Sequence, residues 1–197
     1  MEFEHDTFIL CAKDELVKMQ TLDADKGYMA FCVLGSFLHA ADISSDDAVA
    51  KALGLTWLEF DDLKNDVCTG FARNQLMKIS EDPDMPPDDA LELFSDIRKA
   101  LKMIRLHPDM DAYYEALGVS REWYADLQAG AGIRMAQNML AVALDPDTHP
   151  NTRGILLLQF KGALHRGGLD DEADSTYERM GVNRDWINRA KGQVLSI

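Results

Sequence analysis

The stretch "ALGVSREWYADLQAG", Ala116 to Gly130, decides how this chain is read. A glycine follows an Ala-Leu pair, a serine stands two places later, and aromatic and aliphatic residues then recur at helical spacing. Glycine takes a positive φ at no steric cost, so a helix can end there and the chain reverse. The serine hydroxyl can then satisfy free amides in the first turn of the next helix. The stretch predicts helix, tight turn, helix. It has two counterparts, "ALGLTWLEFDDLKND" at Ala52–Asp66 and "RMGVNRDWINRAKGQ" at Arg179–Gln193. Their glycines, Gly54, Gly118 and Gly181, stand 64 and 63 residues apart.

Other elements precede each glycine in the same order. An acidic turn comes first: "LDAD" at Leu22–Asp25, "EDPD" at Glu81–Asp84 and "LDPD" at Leu144–Asp147. A Leu-His pair follows, at Leu38-His39, Leu106-His107 and Leu164-His165. Fixed order at a fixed period is the mark of a tandem repeat. The expected architecture is all-α: three helical repeats of about 60 residues at 1–66, 67–130 and 131–197, packed as one compact or solenoid-like body. Periodicity agrees, with Leu91, Phe94, Ile97, Leu101 and Ile104 on one helical face and Leu157, Phe160 and Leu164 on another. Asp88, Asp111 and Asn151 are the expected helix caps, and Thr56, Ser120 and Asn183 cap the helices after the glycine turns. No alternating β-branched run predicts a strand.

The 197 residues carry a net charge of −14, unevenly spread. Residues 1–150 hold 28 acidic and 13 basic residues, while 151–197 hold 6 and 7. Such a balance argues against sequence-blind nucleic-acid binding, which needs many cations on phosphates, and places any anion contact near the C-terminus. The longest apolar run, "FCVLGSFLHAA" at Phe31–Ala41, is too short to span a bilayer. Cys11, Cys32 and Cys68 have no metal-like spacing and read as reduced thiols. A cytoplasmic location is expected.

The glycine-turn segments resemble a helix-turn-helix. Apolar residues flank each glycine and recur six and nine places after it: Leu53, Leu55, Phe60 and Leu63; Leu117, Val119, Tyr124 and Leu127; Met180, Val182, Ile187 and Ala190. The family's small residue four places before the glycine is matched by Ala50, whereas Tyr114 and Tyr177 imply a wider helix crossing. From Leu117 to Leu164, the turn, an amphipathic helix and "LDPDTHPNTRGILLLQFKGAL" also resemble the layout of phage small-terminase subunits. That resemblance implies a non-enzymatic, oligomeric protein of DNA binding or nucleoprotein assembly.

In a helix-turn-helix the second helix faces the major groove. The first segment offers Trp57, Leu58, Asp61 and Asp62 there, and the second Arg121, Glu122 and Asp126, which suit phosphate poorly. The third offers Asn183, Arg184, Asn188, Arg189 and Lys191; arginine to guanine and asparagine to adenine is the chemistry of major-groove readout. One expectation is therefore duplex DNA on the third repeat. Its rival is an acidic helical-repeat adaptor, or a nucleic-acid mimic, that takes a basic protein on the first two repeats through Asp46, Asp47, Asp61, Asp62 and Asp66. The two differ in whether the third repeat's cations are free of Asp170, Asp171, Glu172 and Asp174. Trp57, Trp123 and Trp186 read as core or interface aromatics, and the recurring histidines as helix-terminal residues. No catalytic set, cofactor loop or metal-ligand spacing stands out, so no enzyme, cofactor or metal is expected.

Overall fold

The computed structural model describes residues 2–185 and 187. Among them there are nine helices and no strand. They are α1 (Glu2–Thr21), α2 (Ala24–Ala40), α3 (Asp46–Leu53), α4 (Trp57–Glu81), α5 (Pro87–Met103), α6 (Asp111–Leu117), α7 (Arg121–Leu144), α8 (Pro150–Arg166) and α9 (Asp174–Arg179). The chain forms two compact units, Met1–Lys78 with Asp96–Gly118, and Ile79–Ser95 with Val119–Ile197.

In the first unit α1 and α2 form a close hairpin. Leu16, Met19, Phe31, Leu34 and Leu38 make its apolar interior, joined by Val49 and Leu53 of α3 and by Phe60, Cys68 and Phe71 of α4. The Tyr28 and Phe71 rings stack at 4.0 Å. Asp25 ties α2 to α4, accepting from Asn74 at 2.8 Å and Gln75 at 2.7 Å and pairing with Lys78. Burial pushes its carboxyl up, but Lys78 and Asn74 together hold it below the usual range. In the second unit α7 packs along α8 around Leu140, Phe160, Leu164, Tyr177 and Ile187, and Phe94 meets Tyr124 edge to face at 5.2 Å. At the α7/α8 contact two backbones touch. A Cβ built on Gly132 would lie 2.6 Å from the Gly167 Cα, so only hydrogen fits there.

Gly54, Gly118 and Gly181 all take left-handed φ, at 81°, 74° and 70°. Thr56 opens α4 in a capping box: its amide and hydroxyl donate to Glu59, and its Oγ1 accepts from the Glu59 amide. Ser120 Oγ accepts from the Trp123 amide at 3.1 Å. Tyr114 and Tyr177 are accommodated by reaching backward: each hydroxyl donates over 2.8 Å to the carbonyl six residues earlier, at Pro108 and Asp171.

Three expectations change. Asp88 lies inside the first turn of α5, Asp111 is the first residue of α6, and the ring of His149, not Asn151, caps α8. Proline at the first helical position explains two of these shifts, because Pro87 and Pro150 already have helical φ and no amide to satisfy. The Leu-His register also fails in the middle. His39 and His165 lie in the last turns of α2 and α8, whereas Leu106 and His107 lie beyond the end of α5. The residues that share a backbone role are Leu38, Leu101 and Leu164. Each carbonyl accepts from the amide five places on, at Ile43, Leu106 and Leu169. Asp42, Arg105 and Gly168 provide the left-handed residue in between. Trp57 and Trp123, read as core or interface aromatics, lie outside the core. They are 47% and 43% exposed, and the neighbouring Phe60 and Tyr124 fill the interior instead.

Candidate interaction surface

The third segment is where cations were expected to face a duplex. Asn183 is exposed and Arg184 half-buried at the start of the helical stretch after Gly181. Asn188, Arg189 and Lys191, like Trp186 and Ala190, lie outside the described residues. Arg184 does not stand clear. Its guanidinium pairs with Glu172, sits 3.3 Å from Asp174 Oδ1, and lies 6.0 Å above the Tyr177 ring. The Asp174 hydrogen bond leads the effects that raise its pKa further. Lys161 of α8 lies 3.2 Å from Glu172. It also pairs with Asp171 Oδ2 at 2.6 Å. Asp171 is buried, and its other oxygen meets His165 Nε2 at 2.7 Å. Lys161 foremost, then His165, hold this carboxyl below the ordinary range although burial pushes the other way. Farther along, Arg179 pairs with Asp126 at 3.3 Å and Arg166 with Asp88 at 3.4 Å. A polar cavity of about 290 Å³ beside Arg184 includes Asp174, Glu178 and Asp185 in its wall. Four described cations here thus face carboxylates of their own chain.

The first segment is arranged the other way. Asp46 at the start of α3 is drawn to the buried Lys64 at 3.1 Å and to Arg105 at 3.9 Å. Asp61 accepts from Asn65 at 3.2 Å. Asp47, Asp62 and Asp66 are exposed, and no ion pair holds them among the described residues. On α4, Leu58, Asp62 and Asp66 follow one another at four-residue spacing, as do Trp57, Asp61 and Asn65, so the two rows run side by side. Exposed Trp57 and Leu58 therefore stand at the head of an acidic stretch of α4, where Lys64 is turned inward to Asp46.

No protein family, curated protein or solved structure matches this chain. Its surface must therefore be read from its own side chains. The stretch that carries the small-terminase resemblance closes a turn here. Arg153 donates at 2.8 Å to the carbonyls of both Asp145 and Pro146, and Asp145 Oδ1 accepts from the Asp147 amide. No group of three or more His, Cys, Asp or Glu side chains among the described residues is placed to hold a metal. No described helix is long and apolar enough to cross a membrane. Sequence reasoning missed the Lys161–Asp171–His165 cluster and the Asp25 hub. In the first acidic turn it is Asp23 that caps α2, accepting from the Lys26 amide at 3.0 Å, while Asp25 reaches across to α4. The available signal was a lysine and a histidine four apart on α8, just before a run of acids.

Proposed function

We propose that this is a non-enzymatic interaction protein, built from three copies of one helical unit, whose acidic α3–α4 face takes a basic protein partner. The three-copy organisation is supported by the equivalent helix ends at Leu38, Leu101 and Leu164, and by the left-handed glycines at 54, 118 and 181. The observation that carries the functional reading is the pairing of Arg184 with Glu172 and Asp174. A guanidinium engaged in this way must break two intramolecular contacts before it can read a base, while Asp47, Asp62 and Asp66 have no ion pair to lose among the described residues. Exposed carboxylates beside Trp57 and Leu58 combine long-range steering of a cationic partner with an aromatic anchor.

The test is a pair of anisotropy titrations with the full chain. One uses a labelled Lys/Arg-rich amphipathic helical peptide, the other a labelled mixed-sequence DNA duplex. The peptide is expected to bind, to weaken as salt rises, and to lose affinity severalfold with Asp62→Asn/Asp66→Asn. The duplex is expected to stay free even at low salt. Duplex binding that disappears with Arg184→Ala/Arg189→Ala would overturn this reading in favour of a DNA-facing third segment.

A further inference from the structure

Helix α8 carries two apolar seams. Leu157, Phe160 and Leu164 face inward and are buried. On the opposite side Asn151, Ile155, Leu158, Gly162 and His165 follow a four-three-four-three spacing, which is the period of a helix-pairing seam. All five are exposed, Ile155 at 55% and Leu158 at 69%. A Cβ added at Gly162 would meet nothing within 4 Å. So the middle of this seam holds two large aliphatic side chains beside a vacant notch.

The charge around it is as unusual. The chain has 34 acidic residues, yet none falls between Asp147 and Asp170, and α8 alone among the described helices contains no carboxylate. Its three strong cations are all engaged at home: Arg153 with the carbonyls of Asp145 and Pro146, Lys161 with Asp171 and Glu172, and Arg166 with Asp88. The exposed seam is therefore apolar and close to electrically neutral. Two copies of a −14 chain repel over most orientations. Exposed Leu58 on α4, by contrast, stands four residues from the exposed carboxylate of Asp62. The α8 seam lets like meet like without stacking negative charge.

We propose that the α8 seam joins two copies of this chain, with the two α8 helices antiparallel across a two-fold axis. Such an interface presents the same patch from both sides, so it must be self-complementary. With the axis near Leu158, Ile155 of each copy falls opposite Gly162 of the other, a side chain against a notch. The contact is independent of what the α3–α4 face binds.

Light scattering on the eluting full chain, from roughly 1 to 100 μM, tests this over the affinity range of a modest interface. The expected mass rises from 22.0 kDa toward twice that value. The dimer fraction is expected to increase with salt, because salt screens the repulsion between two anionic bodies but leaves apolar contact intact. Leu158→Glu and Ile155→Lys are each expected to hold the chain at monomer mass, with helical circular dichroism and urea midpoint unchanged because both sites are exposed. Val17→Glu, at an exposed aliphatic site on α1, is expected to dimerise as the wild type does. A wild type that stays monomeric throughout overturns the proposal, as does a dimer that survives both α8 substitutions.

Discussion

Gly130 and Gly132 lie two residues apart in α7, and the same substitution at each is expected to act in opposite directions. Alanine in place of a glycine inside a helix stabilises by about 1 kcal/mol, mainly because the unfolded chain has less freedom to lose. At Gly130 the new methyl would meet nothing within 4 Å. Gly130→Ala is therefore expected to gain about 0.5–1 kcal/mol. At Gly132 the methyl would lie 2.6 Å from Gly167 Cα, 3.1 Å from Gly167 N and 3.1 Å from Ala163 O. Ordinary contact begins near 3.4 Å, so the end of α8 must retreat by about 0.8 Å. The obstacles are backbone atoms, which cannot rotate away as a side-chain tip does. Overpacking costs about 1–3 kcal/mol, and a backbone obstacle places this site at the upper end. After the propensity gain, Gly132→Ala is expected to lose about 2 kcal/mol, or roughly 4–8 °C in melting temperature for a chain of this length. Urea unfolding followed by helical ellipticity reads both variants. If Gly132→Ala unfolds at the same urea concentration as Gly130→Ala, or a higher one, the backbone contact between α7 and α8 is wrong.

The remaining expectations concern single groups. Tyr177→Phe removes the hydroxyl bond to the Asp171 carbonyl and is expected to cost about 1 kcal/mol in urea unfolding. Asp171 has a folded pKa below its unfolded value, so its contribution is complete above the ordinary carboxylate range, about pH 4, and is lost as pH falls through the lower folded value. A urea midpoint measured from pH 6 to pH 3 is expected to drop more steeply for the wild type than for Asp171→Asn. Burial pushes the Cys68 thiol up to about 12, so in native protein at pH 8 a maleimide is expected to label exposed Cys32 well before Cys68, with denaturant abolishing the difference. Thr56→Ala removes the capping box of α4 and is expected to cost about 1 kcal/mol, whereas Thr56→Ser is expected to restore it.

What the sequence made legible was local. Gly54, Gly118 and Gly181 announce a left-handed turn because few other residues take that φ cheaply, and the apolar period around them places Phe60, Tyr124 and Ile187 inside. What it hid depends on partners distant in the chain or on which atom does the work. The Leu-His match at Leu106-His107 followed side-chain identity, but His39 and His165 are exposed residues that packing does not fix. The constraint lies on the carbonyls of Leu38, Leu101 and Leu164, which leave no mark beyond a leucine. The sequence left the tryptophans between core and interface, and the fold takes two of them out of the core: one lies at the first position of α4 and the other in the first turn of α7, both partly exposed. On the candidate surface, the sequence supplied both Arg184 and the acids that engage it, and posed the question of their meeting. Only the folded path of the chain from Asp170 to Arg184 answers it.

The ends of α2, α5 and α8 solve one backbone problem with three different residues. Gly168 adopts the left-handed conformation freely, while Asp42 at φ 58° and Arg105 at φ 62° do so with a side chain attached. Aspartate tolerates that region through local hydrogen bonding; arginine has no such relief and carries strain on the order of 1 kcal/mol. Arg105 is thus a small stored tension at the rim of the first unit, held in place by the tight end of α5 and by its approach to Asp46. If that carboxylate were claimed by another cation, one of the restraints on the strained turn would go with it. Charge arriving at α3 would then be felt, through a single carboxylate, as backbone freedom at the end of α5.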